Sequence, residues 1–244
     1  MRPALARRVS ARISNQARLT NISAIDQHPF NRRISRPVPG VNRLKRIITA
    51  LALAAGVAAT AQAGATKPPA LVTQTCAACH GADGNGTSPA NPMYPKLAGL
   101  RASYLAKQMR DFQSGLRASE SMAPWVAGLD ADTINELAEY YAAQPHRAEP
   151  ARRPELIELG RSIYFDGNVD SGVPACAGCH QPDAHGNRRF PMLAGQYADY
   201  AHDQMRRFVS GERDNDRGLV MQSVSLRMSD KEMRAVAEYL MTVQ

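Results

Sequence analysis

Two short stretches of sequence decide how the chain folds: Cys76-Ala77-Ala78-Cys79-His80 and Cys176-Ala177-Gly178-Cys179-His180. They contain all four cysteines of the 244-residue chain and lie 100 residues apart. C-x-x-C-H is the attachment pattern of a c-type haem. Each thiol adds to a vinyl group of the porphyrin, and the adjacent histidine is placed under the iron as its proximal ligand. The sequence therefore predicts two covalently bound haem c groups, held by Cys76, Cys79, Cys176 and Cys179, with His80 and His180 as axial ligands.

Other uses of paired cysteines explain the sequence less well. A zinc site could use four thiolates, but it would leave His80 and His180 without a role and would not need two copies of a domain. A thioredoxin-like C-x-x-C needs a βαβ context, and no strand pattern flanks either pair. A disulfide closed within C-x-x-C would be strained. Haem attachment uses every cysteine and both histidines.

The two halves of the chain repeat one another beyond the cysteines. Pro95-Lys96-Leu97-Ala98-Gly99 recurs 96 residues later as Pro191-Met192-Leu193-Ala194-Gly195. Leu137-Ala138-Glu139-Tyr140 corresponds to Val236-Ala237-Glu238-Tyr239, 99 residues later. Offsets this similar indicate a duplicated domain with small changes in its loops.

The residue pattern within each half is helical and predicts an all-α fold. Apolar and uncharged positions of one helix share a face: Tyr104, Leu105, Gln108, Met109 and Phe112. Gly115 suits its C-terminal end, Asp130 or Asp132 can cap the following helix, and Ser229 with Glu232 forms a capping box. Aromatic residues are only 6% of the chain, so a large apolar cofactor in each domain would supply missing core volume.

The first 63 residues differ in composition from the rest and predict a leader. They carry eleven Lys and Arg and one acid, whereas the remaining chain carries 19 basic and 21 acidic residues. The net charge of +8 therefore belongs to the leader, and we expect no nucleic-acid partner. A basic segment at 43–46, an apolar run from Ile47 to Ala59 and Ala61-Gln62-Ala63 follow in the order of a secretory signal. We expect export to the periplasm.

Alternatives remain within the leader. The apolar run is shorter than the roughly 20 residues of a spanning helix, which favours cleavage over an uncleaved anchor. Residues 1–40 are either a mis-assigned start, with Val41 as the initiator, or a genuine extension. The rest of the chain is predicted to comprise a first domain at 64–146, a linker at 147–154 and a second domain at 155–244. The proline-containing linker is expected to be exposed and fairly stiff.

The second axial ligand of each iron is predicted from the repeat. Met122 and Met221 lie 42 and 41 residues after His80 and His180, each in a loop ahead of the last helix of its half. A thioether ligand favours ferrous iron and raises the reduction potential, which suits electron transfer. We therefore predict Met122 and Met221 as axial ligands of the haem irons.

Other candidates for these positions are weaker. Met109 and Met205 occupy the apolar faces of matching helices and are interpreted as core residues. For the second iron, His185 and His202 are the alternatives to Met221. His202 lies on a helix beside Asp203 and is interpreted as a surface residue.

These motifs together resemble the dihaem cytochrome c4 family over about residues 70–244. The likeness rests on the two C-x-x-C-H motifs, the P-x-L-A-G repeats, the Y-x-x-x-Q-M helices and the late methionines. It implies two tandem cytochrome c-like helical domains related by pseudo-symmetry, each around one covalent haem. It also implies that the carbonyls of Pro95 and Pro191 face the axial histidines and fix their tautomer.

The resemblance has one departure. Only about twelve residues separate the expected cleavage site from Cys76, whereas the second domain has an opening helix from Pro154 to Tyr164. The first domain's opening helix is therefore expected to be truncated or irregular.

The resemblance implies a periplasmic electron carrier and not an enzyme. Its redox partners would be a donor such as a cytochrome bc1-type complex and an acceptor such as a terminal oxidase, with peripheral membrane association compatible with that role. One alternative is a cytochrome subunit of a sulfur-compound-oxidising dehydrogenase, and another is a dihaem enzyme with an open iron. The chain has no spare cysteine to ligate iron or carry a persulfide. A membrane-tethered oxidase subunit would require a retained leader.

Overall fold

The computed structural model describes residues 68–87 and 93–244, so the predicted leader lies outside the described residues. Helices and loops make up these two ranges, with two isolated β-bridges and no strand. The all-α prediction is therefore confirmed. No helix in the described ranges combines the length and apolarity needed to cross a bilayer.

The helices follow the repeat predicted from the sequence. The first half contains α1 (Ala77–His80), α2 (Ala102–Ser114), α3 (Ala123–Val126) and α4 (Ala131–Ala142). The second contains α5 (Ile157–Asp166), α6 (Ala177–His180), α7 (Ala198–Ser210), α8 (Val220–Ser225) and α9 (Asp230–Met241). A π-helical turn at Val72–Cys76 leads into α1, and 3-10 turns at Pro154–Leu156 and Arg217–Leu219 precede α5 and α8. Helices α1 to α4 thus correspond to α6 to α9.

Local sequence signals define the helix ends. Asp130, and not Asp132, caps α4, because its Oδ1 accepts the Thr133 N–H at 2.8 Å. The capping box of Ser229 and Glu232 is present at the start of α9. Gly115 ends α2 in the left-handed region with φ of 77°, a conformation that costs glycine little. These caps place the helices that line the site.

The opening segments of the two halves differ, as expected. In the second half, α5 packs against α9, with Gly160 against the backbone of Ala235. In the first half the opening is the π-helical turn Val72–Cys76, and Val72 is fully buried in the core. The irregular first opening is therefore confirmed within the described residues.

The linker at 147–154 is largely exposed, as predicted, with five of its eight residues on the surface, and its backbone is hydrogen-bonded to both halves. The Glu238 carboxylate, itself buried, accepts the N–H groups of Arg152 and Arg153 at 2.8 and 3.1 Å. The Arg147 N–H donates to Oδ1 of Asn85 at 2.9 Å. Linker N–H groups find acceptors on both domains, so the connector is part of the contact between the halves.

Candidate functional site

Each C-x-x-C-H motif forms one helical turn on the wall of a shared cavity. The cavity has a volume of about 980 Å³ and is lined by both halves. Cys76, Cys176 and Cys179 lie on its wall, and Cys79 is half-buried in the same turn as Cys76. Both histidines of the motifs also line it, and both rings are buried. The repeat thus places two equivalent sets of side chains around one space.

The two histidines are fixed by the same hydrogen bond. His80 Nδ1 lies 2.9 Å from the Pro95 carbonyl oxygen, and His180 Nδ1 lies 2.8 Å from that of Pro191. A carbonyl oxygen can only accept, so Nδ1 carries the proton and Nε2 keeps its lone pair. Nε2 of His180 is buried and has no hydrogen-bond partner. A buried imidazole lone pair of this kind fits a bound iron.

Burial keeps these imidazoles neutral. It lowers the pKa of His80 and of His180 below the ordinary value, and the proline carbonyls oppose this only in part. A neutral ring is the form that binds a metal. Both histidines are therefore in the ligand form at neutral pH.

Burial favours the protonated thiol at two of the four cysteines, Cys76 and Cys176. All four are free. Burial raises the pKa of Cys176 to about 11 and raises that of Cys76. A structural zinc site would need deprotonated sulfurs, whereas a thiol beside an apolar cavity suits addition to a vinyl group. These thiols therefore fit haem attachment, and no group of three or more His, Cys, Asp and Glu side chains among the described residues is arranged to hold an ion such as zinc.

Met122 and Met221 occupy equivalent places on the cavity wall. Both are half-buried, Met122 as the residue before α3 and Met221 within α8. Their backbones are anchored, since the Met122 N–H donates to Ser119 Oγ at 3.1 Å and the Met221 N–H donates to Asp216 Oδ2 at 2.7 Å. The sequence predicted loops here, and the structure has short helical turns. Further methionines share the lining: Met93, Met109, Met192, Met205 and Met228.

The alternative histidine ligands lie elsewhere. His202 is 6% exposed, with Nε2 2.8 Å from Asp230 Oδ1 and Nδ1 3.0 Å from an Arg234 nitrogen. Its interpretation as a surface residue is wrong, because both ring nitrogens are engaged inside the second half. The His185 ring packs on that of His146, with centroids 5.1 Å apart. Neither His185 nor His202 is part of the cavity lining.

A buried arginine pair joins the halves at the cavity, and the sequence did not predict it. Arg117 donates to Tyr200 Oη at 2.7 Å and to Gln204 Oε1 at 2.6 Å. Arg213 donates to the same Gln204 oxygen at 2.8 Å and to Tyr104 Oη at 3.3 Å. Arg117 and Arg213 are 96 residues apart, as are Tyr104 and Tyr200, and an antiparallel bridge joins the two arginine backbones. The contact therefore has pseudo-two-fold symmetry.

These two guanidinium groups could also hold part of a cofactor. Both line the cavity although each residue is less than one-tenth exposed. Each lies over a phenylalanine of its own half, Arg117 over Phe112 at 4.8 Å and Arg213 over Phe208 at 4.5 Å. A guanidinium binds carboxylates strongly in a poorly solvated place. The pair fits the acidic side groups of haem.

Arg117→Met is expected to lower the free energy of unfolding by about 1–3 kcal/mol, because Gln108 and Tyr200 each lose a buried donor. The control is Arg110→Met, which removes an exposed arginine that bonds to Asn135. It should change stability by no more than about 0.5 kcal/mol. Guanidinium denaturation followed by far-UV circular dichroism measures both. Equal losses in the two variants would show that the buried contact contributes nothing particular.

Two helical halves, each with a C-x-x-C-H turn on a common cavity, define a c-type cytochrome with two domains. A family model described as "Cytochrome c" matches residues 157–244, and one described as "Cytochrome C oxidase, cbb3-type, subunit III" matches residues 63–140. The chain belongs to the cytochrome c4 family. It is 40% identical to cytochrome c4 of Thiocapsa roseopersicina over 182 residues, covering 73% of this chain and 90% of that protein.

Two further similarities agree with this family. The reduced recombinant cytochrome c4 from Pseudomonas stutzeri aligns in structure with a TM-score of 0.66 and 33% identity, covering 70% of this chain and 95% of that one. A thiosulfate dehydrogenase electron acceptor from Thiomonas intermedia is 36% identical over 200 residues, covering 81% of this chain and 90% of that protein.

Proposed function

We propose that the chain is a periplasmic dihaem electron carrier. It would hold one covalent haem c through Cys76 and Cys79, and a second through Cys176 and Cys179. The observation that carries this proposal is the matched pair of buried imidazoles, each on a C-x-x-C-H turn and each fixed by a proline carbonyl. When bound, each haem supplies an iron that gains or loses one electron.

The chain's own side chains would hold both irons in a form suited to electron exchange. His80 and His180 would hold the irons through Nε2, and Met122 and Met221 would hold them through their thioethers. Held by two side chains each, the irons would exchange electrons without binding a substrate. The thioethers favour the ferrous form. This arrangement suits outer-sphere electron transfer between protein partners that dock transiently.

A redox titration of the purified mature protein tests the carrier role. We expect two electrons per chain, no carbon monoxide adduct of the reduced protein, and no turnover of thiosulfate or peroxide by the protein alone. An open iron would instead bind carbon monoxide after reduction. Carbon monoxide binding together with turnover would contradict the carrier role and support the dihaem enzyme.

The relative in Thiomonas intermedia supports one specific partner. We propose thiosulfate dehydrogenase as a candidate donor, beside a cytochrome bc1-type complex, with a terminal oxidase as acceptor. Stopped-flow mixing of the ferric protein with thiosulfate dehydrogenase and thiosulfate should give rapid reduction of the haems. Omitting the dehydrogenase is the control. Reduction no faster than in that control would exclude this donor and leave the carrier role standing.

A further inference from the structure

The residues that follow the two matching prolines of the repeat differ in charge between the halves. Lys96 follows Pro95, and Met192 follows Pro191. Both side chains are buried: the Lys96 side chain is 4% exposed and Met192 is 6% exposed. The first half therefore carries a buried ammonium one residue from the carbonyl that holds His80. The second half has a neutral thioether at the equivalent place.

The Lys96 ammonium is held by the linker. Its Nζ donates to the Arg147 carbonyl oxygen at 2.8 Å and to Glu149 Oε1 at 3.1 Å. It also lies 4.8 Å from the centre of the Tyr197 ring, which belongs to the second half. Burial lowers the pKa of Lys96, and the Glu149 carboxylate opposes that change. The ammonium thus keeps a close counter-charge in a place that water scarcely reaches.

The backbone of Lys96 is also held by the second half. Its N–H donates to Gln196 Oε1 at 2.9 Å, and its carbonyl oxygen accepts from Gln196 Nε2 at 3.0 Å. A reciprocal pair of this kind fixes the position of the peptide next to Pro95. The peptide that follows Pro95 therefore has a fixed position, and the Lys96 side chain extends from it to the linker and Tyr197 and is not among the residues that line the cavity.

A fixed charge in a poorly solvated place acts on a nearby redox centre. Solvent and salt screen buried charges much less than exposed ones. Oxidation of a haem iron adds one positive charge, which a neighbouring cation opposes. A buried ammonium therefore raises the reduction potential of that haem, and a buried carboxylate lowers it.

We propose that Lys96 sets the reduction potential of the first haem, raising it above the value that a neutral residue such as Met192 would give. The proposal rests on the proposed function. Glu149 moderates the effect because it is the ion-pair partner of Lys96 and is more exposed, at 28% of its side chain. The second half has the neutral Met192 at the equivalent position, so Lys96 makes the reduction potentials of the two haems differ.

Opposite charge changes at Lys96 and Glu149 test the proposal in the full holoprotein. Spectroelectrochemical titration resolves two one-electron steps, and Met122→His identifies the step of the first haem. Lys96→Met should shift that step to lower potential, and Glu149→Gln should shift it to higher potential. The other step should move less in both variants. Arg110→Met is the control, because it removes an exposed cation of the same half. It should shift both steps less than Lys96→Met shifts the step of the first haem.

The opposite signs of the two expected shifts distinguish an electrostatic role of Lys96 from a structural one. Both variants break the same ion pair, so a purely structural role predicts shifts in one direction. Shifts of the same sign, or an unmoved first step, would overturn the proposal. Glu149→Gln keeps the test decisive if Lys96→Met fails to fold. Each variant is also checked for two haems per chain and for the far-red absorbance band of methionine–iron ligation. If the variants keep two haems and the far-red band, an unchanged potential of the first haem rejects the role of Lys96 and leaves the proposed function standing. If the unmodified protein lacks the two haems and the band, the proposed function itself is rejected.

Discussion

Met122→His and Met221→His are each expected to lower one of the two reduction potentials by tenths of a volt, a fraction of the roughly 0.8 V that axial ligands span. Histidine stabilises ferric iron relative to methionine, whose thioether favours the ferrous state. Each variant should also remove about half of the weak far-red band that reports methionine–iron ligation in ferric c-type haems. Potentiometric titration followed by visible spectroscopy measures both changes.

The matched control for these variants is Met109→Leu. Met109 lies on α2 and lines the same cavity, but its place in the repeat predicts a packing role. Met109→Leu should leave the far-red band and both potentials close to their original values. A lost band in Met109→Leu, with an intact band in Met122→His, would reverse the ligand assignment for the first haem. For the second haem, an unchanged band in Met221→His would exclude Met221.

Gly160→Leu is expected to cause the largest loss of stability. A Cβ added at this position would lie 2.0 Å from the Ala235 carbonyl oxygen and 2.9 Å from the Tyr239 Cβ. The first of these atoms is backbone, so α5 and α9 must move apart. We expect the free energy of unfolding to fall by about 3 kcal/mol or more, the upper range of overpacked cores. Guanidinium denaturation of the holoprotein measures the loss.

Gly128→Ala is the control for that substitution. Nothing lies within 4 Å of a Cβ added at Gly128, and we expect a change of no more than about 0.5 kcal/mol. If Gly160→Leu were as stable as Gly128→Ala, the packing of α5 against α9 would not be as close as the structure places it.

Features with a local signal could be predicted from the sequence. The capping box of Ser229 and Glu232 spans four residues, and the end of α2 at Gly115 depends on one. The all-α fold and the two-domain family follow from motifs and from the repeat, which appear twice in the chain. The repeat also supplies the proposed ligand positions Met122 and Met221, whereas the cavity lining alone contains too many methionines to choose between them.

Features that depend on contacts between distant parts of the chain could not be predicted. Arg117 lies two residues after Gly115, which ends α2, and has the sequence context of an exposed cation in a loop. Its burial requires Tyr200 and Gln204, which come from the other half. His202 likewise owes its burial to Asp230 and Arg234, on a different helix. A periodic pattern reports which face of a helix is apolar, and it does not report which polar groups meet across an interface.

The linker shows the same limit. Prolines and alternating charges are typical of an exposed, fairly stiff connector, and nothing local to Arg152 or Arg153 indicates the acceptor of their backbone N–H groups. That acceptor is the buried Glu238, more than eighty residues away. Its carboxylate corresponds in the repeat to Glu139, which is exposed. The same residue type thus holds the linker in the second half and is exposed in the first.

The number of haems attached to each chain tests the central claim most directly. A pyridine haemochrome assay combined with intact-protein mass should give two covalent haems on the mature protein, and one on a variant that carries both Cys176→Ala and Cys179→Ala. A colourless mature protein, or a single haem on the unmodified chain after expression with a working maturation system, would contradict the account.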